Sequence, residues 1–129
     1  MASRAALYRE LIVWQRAIEL LVEIYRMTPC LPRDERFGIT SQLHRAAVSV
    51  SANIAEGNGR RHRAEYAHHV SIARGSTLEV ESLLLAAIRL GMLDEDRAAT
   101  ALRQLDEISR MLNALYRTLT FASRERRSP

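Results

Sequence analysis

From Tyr66 to Ala87 apolar and small residues recur at alternating intervals of four and three: Tyr66, Val70, Ala73, Thr77, Val80, Leu84 and Ala87. At about 100° per residue this spacing draws a single stripe along a helix, whereas a strand would scatter the same positions over both of its faces. Three further segments carry the rhythm. Leu11, Trp14, Ile18, Leu21 and Tyr25 predict a helix from about Tyr8 to Thr28, stopped by Pro29 and Pro32. Ile39, Leu43, Ala46, Val50, Ile54 and Gly57 predict a second, closed by the turn signal Gly57-Asn58-Gly59. The third begins near Arg63 and ends at Gly91. After Asp94-Glu95-Asp96, carboxylates suited to a helix N-terminus, the residues Ala98, Ala101, Leu105, Ile108, Leu112, Leu115 and Leu119 carry a fourth helix to about Ser123. No segment reads as a strand.

Four helices with this spacing and short connections pack nearly antiparallel, so the fold class is all-α, an up-down-up-down four-helix bundle. A chain of 129 residues is long enough to hold such a core without disulfides or metals. The expected division is a bundle over residues 1–123 and a basic, flexible tail over 124–129. One cysteine, Cys30, cannot close an intrachain bridge and suits a reducing cytoplasm. Arg4, Arg9 and Glu10 interrupt any signal-peptide pattern, and the longest apolar run, Leu83 to Ile88, falls far short of the ~20 residues that span a bilayer. The expectation is a cytoplasmic protein with no membrane contact.

The second helix has too little polar surface for an outward-facing bundle helix. Residues 46–55 read Ala-Ala-Val-Ser-Val-Ser-Ala-Asn-Ile-Ala, with no charge. The third adds Ala64, Ala67, Ser71, Ala73, Gly75 and Ser76, which let another backbone approach closely. A second copy of the chain is the expected cover, since monomers seldom leave large apolar patches in water.

Charge narrows the class of partner. The formal net charge is +4, there is no lysine, and all 19 basic residues are arginine. Residues 1–96 hold 12 Arg and 12 acids, and residues 97–129 hold 7 Arg and 3 acids, so the last quarter carries the whole excess. On the fourth helix Arg103, Arg110, Arg117 and Arg124 recur every seven residues, nearly opposite the leucine stripe, and form an outward ridge about 30 Å long. Arg126 and Arg127, in the tail, are further candidate contacts. The turn after the second helix adds Arg60, Arg61 and Arg63 beside a Gly pair, a constellation suited to phosphate, or equally to a helix end followed by solvated charge. Structured RNA or DNA, held by its backbone, is the expected ligand, and a nucleic-acid-processing protein a further partner. Tyr116 is the one nearby ring for base stacking. The rival expectation is an oligomeric interaction scaffold that binds no nucleic acid.

Catalytic chemistry finds little footing. No Lys-Ser or Lys-Thr follows the glycines, so a P-loop is excluded. A di-iron bundle needs two Glu-x-x-His pairs, and Glu65-Tyr66-Ala67-His68 is the only one; His62, His68 and His69 read as helix surface, and His44 has no partner at ligand spacing. No metal, cofactor or catalytic residue is expected. Gln42, Arg45, Ser49, Asn53, Glu56, Arg74, Ser76 and Glu79 fall on or beside the apolar stripes and predict an internal polar network that fixes helix register, with Glu56 or Glu79 pairing the arginines.

The run Ser49-Val50-Ser51-Ala52-Asn53-Ile54-Ala55-Glu56-Gly57-Asn58-Gly59-Arg60, preceded by Ser41-Gln42-Leu43 and followed by Ala73-Arg74-Gly75-Ser76, resembles the four-helix-bundle family encoded in intervening sequences of bacterial 23S ribosomal RNA genes. Val13-Trp14-Gln15-Arg16-Ala17 and Pro32-Arg33-Asp34-Glu35-Arg36-Phe37 extend the resemblance over nearly the whole chain apart from the tail. It implies a homopentameric barrel of four-helix bundles without catalytic residues. The family is also similar to the basic accessory protein of diversity-generating retroelements, which partners a reverse transcriptase and binds nucleic acid. Ser51 stands where the family often has Pro.

Overall fold

The computed structural model describes residues 4–127, with side chains from Leu7 to Phe121. A 3-10 segment, Arg4–Glu10, leads into α1 (Ile12–Met27); α2 (Ile39–Asn58), α3 (Arg63–Arg89) and α4 (Glu95–Arg127) follow, and no strand occurs among the described residues. Each helix packs against two neighbours, in the cycle α1–α2–α3–α4–α1. The architecture is the antiparallel four-helix bundle the spacing predicts.

Local chemistry sets the connections. α1 stops one residue before Thr28, where a 3-10 turn takes in Pro29, and Glu35 reaches forward to accept a hydrogen bond from the Ile39 N–H at the start of α2 (3.3 Å). α3 ends in a Schellman closure: Gly91 takes φ 74°, and the Met92 N–H donates to the Ala87 carbonyl (2.9 Å). Glu95 and Asp96 put negative charge in the first turn of α4, where the helix dipole favours it. α2 continues without a break through Ser51, whose hydroxyl bonds to the Val48 carbonyl (3.2 Å).

Leu43, Val50, Ile54, Val70, Val80, Leu84, Leu105, Ile108 and Leu112 are fully buried, so three of the four stripes face inward as read from the sequence. Helix α1 is different. Its buried residues are Val13, Ala17, Leu20, Ile24 and Met27, while Leu11, Trp14, Ile18 and Leu21 are half-buried and Tyr25 is 49% exposed. Both sets repeat at the same interval one residue apart, so spacing alone does not choose between them; the narrower set turns inward and the bulkier one flanks it.

Helices α2 and α3 approach closely at Gly57, which is buried. A Cβ there would lie 2.8 Å from the His69 Cβ and 3.1 Å from the Tyr66 ring. Gly57→Ala is therefore expected to destabilise the bundle by about 1–3 kcal/mol through overpacking, against the ~0.5–1 kcal/mol that alanine gains over glycine in a helix. Urea unfolding reads the sign, and a raised midpoint would show that the contact relaxes.

Candidate nucleic-acid interface

Along α4 the side chains divide as the sequence implies. Leu105, Ile108, Leu112 and Leu119 are buried, Leu115 is half-buried, and Arg103, Arg110 and Arg117 are exposed. The ridge is less bare than its spacing suggests, because Asp106 forms an ion pair with Arg110 one turn away. Arg103 donates to the Thr100 hydroxyl (3.3 Å). Glu107 turns to the other flank and accepts from Arg16 on α1 (3.0 Å). The side chains of Arg124, Arg126 and Arg127 lie outside the described residues.

Antiparallel packing brings the second arginine set to the same end as the last turns of α4. Arg74 on α3 donates to Asn113 of α4 (2.8 Å) and lies 4.6 Å from the centre of the Tyr116 ring. Counting about 1.5 Å per residue from that contact, α3 reaches back to Arg63 over the distance in which α4 climbs to residues 124–127. The turn bearing Arg60 and Arg61 caps this end, and Arg9 stands on the segment before α1. Among the residues whose side chains are described, the segments at this end, 7–14, 55–66 and 113–121, hold five arginines and three glutamates. Arg60, Arg61 and Arg63 are all exposed, and Glu56 pairs with Arg60 at 3.5 Å. The opposite end mixes signs: Arg26, Arg33, Arg36, Arg89 and Arg97 stand near Asp34, Glu35, Asp94, Glu95 and Asp96. Charge asymmetry along the sequence has become asymmetry between the ends of the bundle.

The polar network is narrower than predicted and has one unforeseen member. Ser76 donates to the Ser49 hydroxyl (2.8 Å), and Asn53 donates to the Ser49 carbonyl (2.9 Å) and hydroxyl (3.1 Å). His69 Nδ1 lies 3.0 Å from Asn53 Oδ1; a carbonyl oxygen can only accept, so Nδ1 carries the hydrogen. His69 thus belongs to the α2–α3 seam rather than to the free surface. Gln42, Arg45, Glu56 and Glu79 are exposed and stand outside the network. On a helix with Leu43, Val50 and Ile54 inward, positions 45 and 56 fall well beyond the seam edge, where water serves charged groups better than a buried partner. Arg74 is held by Asn113 and Tyr116 rather than by either predicted glutamate. Its guanidinium also covers one face of Tyr116, the ring that sequence reasoning offered for base stacking.

Near the mixed end His44 stacks on Tyr25 with centroids 3.8 Å apart, and its Nε2 lies 2.8 Å from the Thr28 hydroxyl. Burial holds its pKa below the usual histidine value. Among the described residues no three His, Cys, Asp or Glu side chains group to hold a metal ion, and no helix is long and apolar enough to cross a membrane.

Among the described residues, two flanks of the bundle expose apolar side chains. Leu21, Val22, Tyr25 and Val48, with Arg26, line an open groove of about 440 Å³ between α1 and α2. On the side formed by α3 and α4, Leu78 is 61% and Leu85 47% exposed, and a Cβ built on Gly75 meets nothing within 4 Å. The Ser49–Ser76 bond places Val48 and Leu78 at the same height on opposite sides of the bundle.

Fold and surface together define a class: an antiparallel helical bundle with one basic end and uncovered apolar flanks. Within it, the chain belongs to the family described as 23S rRNA-intervening sequence protein, whose sequence profile matches residues 9–114. Among solved structures, the chain is similar to a protein of unknown function from the S23 ribosomal protein family of Bacteroides thetaiotaomicron. Identity is 24%, the match covers 81% of this chain and 98% of that one, and the TM-score is 0.75, a likeness that shows the fold. No curated protein matches the sequence.

Proposed function

We propose that this protein is a non-enzymatic, homo-oligomeric binding module whose basic end and α4 ridge hold the phosphate backbone of structured RNA or DNA. The observation that carries the reading is the convergence of Arg60, Arg61, Arg63 and Arg117 at one end of a bundle whose other end is balanced in sign. Guanidinium forks on an exposed convex surface suit backbone phosphates, which position a nucleic acid without reading its sequence. Ser49, Asn53, His69 and Ser76 of the α2–α3 seam hydrogen-bond to one another, a structural arrangement rather than a poised nucleophile and base. Support for assembly comes from the apolar flanks: copies standing side by side would cover the Val48 groove of one with the Leu78 face of the next. Five copies follow from the family resemblance, and a nucleic-acid-processing protein is a further proposed partner.

Light scattering with and without a structured RNA tests binding and assembly together. The expected free mass is several times that of one chain, and it rises with RNA at low salt. With six or more phosphate contacts per assembly, affinity should fall by at least about 10³-fold between about 50 and 200 mM salt. Binding that ignores salt, or no binding at all, would leave the interaction scaffold as the better reading.

A further inference from the structure

Phe121 stands on the arginine ridge. At about 100° per residue, positions 103, 110, 117 and 121 share the outward face of α4, and Phe121 is 63% exposed. With Arg117, Thr118 and Thr120 it lines an open cavity of about 450 Å³. A large apolar ring among arginines gains nothing from water, and the basic end is where such a ring has a chemical use. We propose that Phe121 and Arg117 form a stacking site for one unpaired nucleobase, so that this end prefers single-stranded or looped nucleic acid to a plain duplex. The inference rests on the phosphate-binding reading above and deepens it.

Three features of the site point to a base. Arg117 lies one helical turn below Phe121 on the same face, so a nucleotide whose base stacks on the ring keeps its phosphate within reach of the guanidinium. The Thr118 and Thr120 hydroxyls donate to the Ala114 and Tyr116 carbonyls (3.1 and 2.9 Å), which leaves their oxygens as acceptors for base amino groups. Tyr116 lies under Arg74, Tyr25 against His44 and Tyr8 against Trp14, while Phe37, 84% exposed beside Arg36, stands at the opposite end, where the charges are mixed. A base paired within a duplex is already stacked on its neighbours, so only an unpaired base gives this ring a partner; because every base has a π-face, little sequence preference follows.

Fluorescence anisotropy with a labelled oligouridine and with a blunt RNA duplex of equal length tests the site in the full chain. Phe121→Ala is expected to weaken oligouridine binding by about 5- to 100-fold and to leave the duplex nearly unchanged, while Phe121→Tyr keeps wild-type affinity for both. Because Phe121 is exposed, the alanine variant should fold normally, and circular dichroism checks this. Equal losses on both ligands, or no loss on oligouridine while wild-type binding remains salt-dependent, would overturn the stacking site and leave the phosphate reading standing. A change in assembly mass with unchanged oligouridine affinity would assign Phe121 to a subunit contact instead and also overturn it. Failure of the wild type to bind either ligand at about 50 mM salt would remove both readings.

Discussion

Replacing Arg60, Arg61 and Arg63 together by Gln should lower affinity for structured RNA by roughly 10²–10³-fold at about 0.1 M salt, and should reduce the slope of log K against log salt by about 3 for each chain engaged. The magnitude follows from counterion release. Each phosphate neutralised contributes a slope of about 0.9, and the electrostatic part of binding largely vanishes near 1 M, so three lost contacts over one decade of salt give nearly three decades of affinity. Folding should survive, because all three side chains are exposed and substitutions at such positions usually stay within about 0.5 kcal/mol. The Arg60–Glu56 pair is a solvent-exposed contact at 3.5 Å, of a kind that contributes at most ~1 kcal/mol. Arg103→Gln with Arg110→Gln is the control. Arg110 is already paired with Asp106, and Arg103 stands about 21 Å down the helix from Arg117, so this pair should cost less than the turn triple. Filter binding across a salt series measures both. Unchanged affinity and slope in the triple variant would remove the basic end as the phosphate contact.

What could be read from residues alone follows a physical rule. A stripe is legible when only one face of the helix is apolar. On α4 the arginines at 103, 110 and 117 oppose Leu105, Ile108 and Leu112, so the inward face is unambiguous, and Gly91 marks its own turn because few other residues tolerate φ 74°. On α1 Leu20 and Leu21, or Ile24 and Tyr25, are both apolar neighbours, and the choice between them depends on packing against α2 and α4. The polar seam shows the same limit. Ser49 and Ser76 meet because α2 and α3 run antiparallel in one particular register, which no local pattern encodes, whereas Arg45 and Glu56 resemble network members in composition but sit beyond the edge. His69 reads as helix surface in the sequence because its distinguishing feature is Asn53 on another helix. The gathering of arginines at one end was derivable once the topology was accepted, since an antiparallel bundle must put the α2–α3 turn beside the end of α4. Phe121 left a usable signal as well: an aromatic at a ridge position where the pattern calls for charge.

On the proposed assembly the two apolar faces of α1 serve folding and subunit contact separately, and Leu20→Ala against Leu21→Ala distinguishes them. Leu20 is fully buried in the core cluster, so its truncation leaves a cavity and should cost about 2–5 kcal/mol, a fall in thermal midpoint on the order of 10–20 °C. Leu21 is half-buried at the rim of the Val22–Val48 groove, and its truncation should cost less than half as much in the isolated chain. Its larger consequence belongs to the assembly. If that groove receives a second copy, the midpoint of Leu21→Ala falls further at high protein concentration, where wild type gains from mass action, and its scattering mass drops toward that of one chain. Leu20→Ala should lower the midpoint by the same amount at every concentration, since its neighbours all lie within one bundle. A greater, concentration-independent loss for Leu21 would put the flanking stripe inside the core and withdraw the groove as a subunit contact.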